Sequence, residues 1–120
     1  MFELLVILAS LLALDAIYIG LQYTYIKKVY ETIQHSPLKI NFIGAILCYI
    51  FLVFLLYYFI LSKKRKILDA FLLGVGVYGV YETTQYSTLS KWPVYMLITD
   101  TLWGGILFAI TTKIYYTVYV

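Results

Sequence analysis

The stretch INFIGAILCYIFLVFLLYYFILS, residues 40–62, contains no charged side chain. An α-helix rises about 1.5 Å per residue, so crossing about 30 Å of hydrocarbon takes about 20 residues. This stretch is therefore long and apolar enough to cross a lipid bilayer as a helix. Three further apolar runs, at about 2–26, 66–88 and 92–117, have a similar length. The sequence thus predicts four membrane-spanning helices.

The composition of the whole chain supports the same class of protein. Of its 120 residues, 63% are hydrophobic and 12% are charged, whereas soluble domains average about 45–50% apolar and about 25% charged residues. No alternating β-barrel pattern is present, and a helix in lipid satisfies its own backbone hydrogen bonds. We expect an all-α integral membrane protein, a single four-helix bundle over residues 1–120. Its short polar breaks are KKVYETIQHSPLK, SKKRK and YSTLSKWP.

The charged residues and the cysteine limit the possible partners. The net charge of +3 is small and comes from residues clustered in the breaks, which favours contact with anionic lipid headgroups over nucleic acid. The headgroup contacts are expected at Lys63, Lys64, Arg65 and Lys66. One cysteine, Cys48, allows no intrachain disulfide, and one histidine, His35, argues against a histidine-based metal or haem site. We expect no metal and no cofactor.

An even number of spans would put both termini on one side of the membrane, here called side A; the opposite side is side B. The opening run lacks a basic start and continues past Asp15, so we expect a retained helix rather than a cleaved signal. Basic loop residues barely separate the two sides; we expect the termini inside, in a cell membrane, or in a virion or host membrane if the protein is viral. Side A would carry Lys63, Lys64, Arg65, Lys66 and Lys113, and side B would carry Lys27, Lys28, Lys39 and Lys91.

Three of the predicted helices contain a carboxyl group, Asp15, Glu82 or Asp100, and no Lys or Arg lies deep within a helix. A charged group at membrane depth costs at least about 2.5 kcal/mol. Three acids without a basic partner cannot all be ionised in a dry site. They must be protonated, hydrated or neutralised by a cation from outside the chain. Counting residues along the helices puts all three between the midplane and side B.

Polar residues accompany the acids at helical spacings of three and four, so each acid lies on a polar helix face. Such faces are expected to turn toward one another rather than toward lipid, forming a polar pocket open toward side B. Glycines such as Gly74, Gly79 and Gly104 would let the helices approach closely. No catalytic role follows from the pattern. The candidate pocket residues are Asp15, Tyr18, Gln22, Asn41, Tyr78, Glu82, Gln85, Asp100 and Trp103.

Four sequence landmarks carry a family resemblance: LDAIYIG (14–20), Asn41, YGVYETTQYSTLSKWP (78–93) and DTLWG (100–104). On these residues the chain resembles the small bacterial and large-DNA-virus membrane proteins of domain of unknown function 2177. The family pattern usually has Asp at the position of Glu82 and Asn at that of Gln85, so each side chain here is one methylene longer. The resemblance implies four helices and the same choice of residues, and it implies no reaction.

Three functions remain open from the sequence. The first is a carrier or channel-like protein for a proton, a cation or a small cationic ligand, in which a thin four-helix protomer would work as a homo-oligomer. The second is a structural or assembly protein, for example of a virion inner membrane. The third is an intramembrane lipid-modifying enzyme using Asp15 and Glu82 as an acid–base pair. This enzyme ranks last because the sequence has no nucleophile–base or metal-ligand motif.

Overall fold

A computed structural model describes residues 2–37, 39 and 41–119, and within this part of the chain the regular structure is entirely helical. The prediction of an all-α fold is therefore confirmed. Helix α2 is continued by a short π-helical segment, in which the backbone hydrogen bonds span five residues. The helices are α1 (Phe2–Gln34), α2 (Phe42–Leu56, with its π segment Tyr57–Leu61), α3 (Ile67–Thr88) and α4 (Val94–Tyr119).

Three of the helical segments are long and apolar enough to cross a membrane: Phe2–Gln34, Phe42–Leu61 and Val94–Tyr119. Helix α3 has 22 residues but does not belong to this group, because Asp69, Glu82 and the polar residues of its last turns lower its hydropathy. Large apolar side chains cover much of the surface; Ile43 is 73% exposed and Val80 is 69% exposed. This surface fits contact with lipid rather than with water.

Helix α1 is longer than predicted. It ends at Gln34 rather than near residue 26, and its 33 residues correspond to about 50 Å, more than the hydrocarbon thickness. Polar residues mark where a chain leaves lipid, but Lys, Glu and Gln are good helix formers, so the helix continues past that point. It stops at His35, whose φ is 57°. Helix α4 begins at Val94, and the predicted start of the second helix at residue 40 lies outside the described residues.

Helices α3 and α4 form the closest pair in the bundle. A Cβ atom added to Gly74 would lie 2.1 Å from the carbonyl oxygen of Gly104, and one added to Gly104 would lie 2.3 Å from the ring of Tyr78. A Cβ on Gly105 would similarly meet the ring of Phe71 at 2.7 Å. Small residues allow backbones to approach in this way, which is how helices associate in lipid without a hydrophobic driving force.

Helix α1 runs antiparallel to α4, and polar contacts between them follow one register. Tyr115 bonds Glu3, Trp103 bonds Asp15 and Tyr95 bonds Gln22, so positions rise on α1 as they fall on α4. Between the first two contacts lies a layer of apolar side chains with almost no exposure. Its members include Ile7, Leu11, Leu56, Leu107 and Phe108.

Helix α2 packs loosely against α1. A groove of about 790 Å³ lies between them, lined by residues such as Leu8, Leu12, Ile46 and Val53. Tyr49 and Tyr57 also line this groove, and both of their hydroxyls reach toward acids on α1. Although α2 packs loosely against α1, these polar contacts therefore connect the two helices.

Candidate functional site

Asp15 is the point where three helices meet through hydrogen bonds. It lies on α1, is only 9% exposed, and accepts a hydrogen bond from the indole Nε1 of Trp103 on α4 at 3.0 Å. The hydroxyl of Tyr49 on α2 donates to its other carboxyl oxygen. Each carboxyl oxygen of Asp15 therefore accepts a hydrogen bond from a neutral side chain on another helix. These two donors stabilise the acid without a basic partner.

Tyr18 connects Asp15 to the next acid along the bundle. Its ring stacks on that of Trp103, with centroids 4.6 Å apart and planes within 4° of parallel. Its hydroxyl donates a hydrogen bond to Oδ1 of Asp100 on α4. One face of Tyr18 thus packs on the donor to Asp15, while its polar end bonds Asp100.

Glu82 and Asp100 form the centre of the site. Their carboxyl groups lie close enough to interact across the α3–α4 interface. Glu82 is 1% exposed, and Oε1 also accepts the indole N–H of Trp92 at 2.8 Å. The ring of Tyr30 packs edge-on against Trp92, with centroids 5.5 Å apart. We call the three acids with their donors Tyr18, Tyr49, Trp92 and Trp103 the acid network.

The two glutamines predicted for the pocket are not among these seven residues and lie nearer the loops that follow α1 and α3. The side chain of Gln22 accepts a long hydrogen bond, 3.4 Å, from the hydroxyl of Tyr95. Gln85 donates to the hydroxyl of Tyr81 at 3.1 Å, and that hydroxyl lies 3.2 Å from the hydroxyl of Tyr30. A surface groove of about 640 Å³ is lined by Gln22 and Tyr95, which gives this end of the network contact with the outside.

Two predicted pocket residues have other contacts. Asn41 is exposed and caps α2, its side-chain oxygen accepting a hydrogen bond from the backbone N–H of Gly44 at 3.1 Å. Tyr78 is half-buried, and its ring packs over Gly104 and edge-on to Phe108. The structure therefore places Asn41 at a helix end and Tyr78 in the packing between α3 and α4.

Comparison with known proteins supports the family resemblance. A family model described as "Predicted membrane protein (DUF2177)" matches residues 1–117. The chain belongs to this family. Searches among curated proteins and among solved structures found no match. Family membership agrees with the three apolar helices long enough to cross a membrane, and it confirms the resemblance drawn from the sequence motifs.

Sequence reasoning missed several residues that contact the acids. Trp92 is not among the predicted pocket residues, yet it is 3% exposed and bonds Glu82. Tyr49 was not considered, although it bonds Asp15. With 14 tyrosines in the chain, an aromatic residue in a span carries little information by itself. Trp92 did have a usable signal, since it lies between an acid-bearing helix and the proline that precedes the next one.

Glu3 is a second acid site that the sequence reasoning passed over. Its Oε2 lies 3.3 Å from the hydroxyl of Tyr115 on α4 and 3.5 Å from that of Tyr57 in the π segment. Glu3 therefore resembles Asp15: one donor comes from α4, and the other comes from α2 or its π-helical continuation. The apolar layer that includes Ile7 and Leu11 separates it from Asp15.

Proposed function

We propose that this chain is a proton-binding and proton-moving membrane protein whose working group is the Glu82–Asp100 pair. One observation carries the proposal: Glu82 is 1% exposed and its carboxyl group lies close enough to that of Asp100 for a hydrogen bond between them. A carboxylate has no hydrogen to donate, so at least one partner in such a bond holds a proton. A buried pair that shares one proton can accept or release it without creating an isolated charge in lipid.

The surroundings of the pair favour a proton over a larger cargo. Trp92 occupies Oε1 of Glu82, and Tyr18 occupies Oδ1 of Asp100. A metal cation or an organic cation would have to displace these donors and make room in a closely packed interface. A proton needs neither, because it moves along hydrogen bonds that already exist.

An exit toward side B is available next to the pair. Tyr18, which bonds Asp100, also interacts with Gln22, and Gln22 lines the surface groove that it shares with Tyr95. This sequence of polar side chains would lead a proton from Asp100 to solvent. Toward side A the apolar layer with Leu11 and Phe108 separates the pair from the other side at rest, so the proposal requires a proton to cross this layer during transport.

The proposal includes α3 as a fourth span, which makes a four-helix transmembrane bundle with both termini on side A. Its polar residue Glu82 lies beside Asp100 and accepts a hydrogen bond from Trp92, so the carboxyl group that lowers the hydropathy of α3 would be shielded from lipid. Its glycines hold it against α4. With only four thin-walled helices, we expect protomers to associate as a homo-oligomer, with the termini inside.

Proton flux through proteoliposomes tests the function. Purified protein is reconstituted with a pH-sensitive dye inside the vesicles, and a pH step is applied with valinomycin and potassium to prevent charge build-up. We expect the wild type to dissipate the step faster than Glu82→Gln and Asp100→Asn. The matched control is Asp69→Asn, an acid of α3 outside the network, which should behave as the wild type. Wild-type flux equal to that of protein-free vesicles contradicts the proposal.

A structural or assembly role is the second candidate, and the contacts of Asp15 favour it. This acid ties α1 to α2 through Tyr49 and to α4 through Trp103, as a purely structural cross-link would. For that role, Asp15→Asn combined with Glu82→Gln should leave assembly of the host membrane or particle unchanged. Absence of proton flux in every protein, together with normal assembly of this double variant, would favour the structural role.

A further inference from the structure

The hairpin between α2 and α3 is held in one conformation by backbone hydrogen bonds. The N–H of Ser62 donates to the carbonyl of Tyr57 at 2.8 Å, and that of Arg65 donates to the carbonyl of Ile60 at 3.0 Å. Lys64 adopts a φ of 51°, a left-handed conformation that non-glycine residues use rarely. From α4, the hydroxyl of Tyr116 donates to the carbonyl of Arg65 at 2.6 Å. The basic side chains of the turn therefore project from a fixed backbone.

A small groove lies beside this hairpin, with a volume of about 280 Å³. The groove is lined partly by charged and partly by apolar side chains. The charged residues Lys63, Arg65 and Asp69 belong to the turn and the first turn of α3, and apolar residues lie deeper along both helices. The apolar lining consists of Phe59, Ile60, Leu72 and Leu73.

The two cations of the groove are partly fixed by neighbours. Nζ of Lys63 lies 4.8 Å from the ring centroid of Tyr58 and 5.7 Å from that of Phe59, within the range of cation–π attraction. Nη1 of Arg65 lies 3.7 Å from Oδ2 of Asp69. This single contact leaves other guanidinium N–H groups free to bind an oxyanion.

We propose that this groove binds one anionic phospholipid, with the phosphate at Lys63 and Arg65 and one acyl chain against Phe59 and Leu72. Phosphate oxygens suit a guanidinium and an ammonium placed together, and cations at the membrane surface attract anionic lipid. The apolar wall continues from the charged mouth along the spanning helices, as a lipid tail continues from its headgroup. Lys64 and Lys66, which the sequence grouped with them, do not line the groove.

Native mass spectrometry of the full chain tests this site, with phosphatidylglycerol and phosphatidylcholine offered together at equal concentration. We expect the wild type to retain one phosphatidylglycerol in preference to phosphatidylcholine. Lys63→Gln with Arg65→Gln should weaken its retention roughly tenfold or more, because each cation near the surface contributes to the attraction. The matched control, Lys27→Gln with Lys28→Gln, removes the same charge at the far end of α1 and should retain the lipid. Equal loss in both pairs overturns the proposal.

Two further arms separate a lipid site from a simple anion site. Leu72→Trp fills the groove at an exposed position and keeps both cations, so it should also reduce lipid retention; unchanged retention overturns the acyl-chain contact and with it the proposal. Inorganic phosphate should compete poorly, and full displacement by millimolar phosphate would show an anion site instead.

Lys63→Gln alone breaks no salt bridge and should lower retention several-fold. The variants of Lys63, Arg65 and Leu72 lie outside the acid network and outside the groove that Lys28 shares with Gln22, so their effect on lipid retention is independent of the proton flux test.

Discussion

Glu82 on α3 and Asp100 on α4 bring their carboxyl groups close enough to interact across the interface between the two helices. A hydrogen bond between two carboxyl groups requires one of them to supply the hydrogen, so the proposed function has this pair hold one proton. Trp92 also donates a hydrogen bond to Glu82, and Tyr18 donates one to Asp100. If the pair holds one proton, these donors and the shared hydrogen would satisfy it without a basic partner.

Removing Asp15 should loosen the bundle. Asp15→Ala leaves the indole of Trp103 and the hydroxyl of Tyr49 without their acceptor. Hydrogen bonds between helices in membranes contribute about 0.6 kcal/mol on average and up to about 1.7 kcal/mol. We expect the free energy of unfolding in mixed SDS micelles to fall by about 1–3 kcal/mol. Ser10→Ala, which removes a bond within α1 only, is the control and should change it much less; equal effects would count against the cross-link.

Glycines of α3 offer a matched pair of substitutions. Gly74→Ala puts a Cβ 2.1 Å from the carbonyl oxygen of Gly104, whereas Gly76 has no atom within 4 Å of an added Cβ. Overpacking typically costs about 1–3 kcal/mol, and Ala is the better helix former by about 1 kcal/mol. Gly74→Ala should therefore destabilise the protein and Gly76→Ala should be neutral or stabilising, measured by SDS unfolding. The reverse order would mean that α3 does not pack on α4 through Gly74.

Two buried threonines of α4 are expected to be suboptimal. Thr111 and Thr112 have no exposure, and their hydroxyls have no hydrogen-bond partner among the described residues. An unsatisfied buried hydroxyl costs about 1–3 kcal/mol, and Val has nearly the same shape. Thr111→Val should raise the free energy of unfolding by roughly 1 kcal/mol. Destabilisation of similar size would show that the hydroxyl is bound to water in the membrane.

Loop labelling decides whether α3 crosses the membrane. In a Cys48→Ser background, single cysteines at Ser36, Lys64 and Ser90 are treated with a membrane-impermeant maleimide in cells and in inverted vesicles. Four spans predict that positions 36 and 90 react from one side and position 64 from the other. If positions 64 and 90 react from the same side, α3 lies at the surface and the four-span bundle is wrong.

The acids of the site could be predicted from the sequence, and most of their partners could not. A carboxyl group within an apolar run is conspicuous because burying it is costly, so Asp15, Glu82 and Asp100 stand out. Trp92 and Tyr49 do not, because aromatic residues are common in membrane helices as packing groups and as interfacial anchors. Their role depends on how α2 and α4 are placed beside α1 and α3, which a single sequence does not determine.

The helix boundaries, too, could be predicted only in part from the sequence. Apolar length correctly predicted where helices exist, but not that α1 would continue to Gln34 or that α2 would become a π-helix at Tyr57–Leu61. Hydropathy indicates where the chain leaves the lipid, and a helix can continue beyond that point. Asn41 was predicted to line the pocket as part of a polar helix face, yet α2 begins at Phe42. A polar residue at that position is used as a cap.

Infrared spectroscopy of the carboxyl groups tests the shared proton most directly. Wild-type protein in lipid at neutral pH should show the C=O stretch of a protonated carboxylic acid. The account predicts that Glu82→Gln and Asp100→Asn each weaken or shift this band while the protein stays folded, and that Asp69→Asn leaves it unchanged. A spectrum in which Glu82→Gln and Asp100→Asn both leave the wild-type band intact, or a wild type without the band, would contradict it.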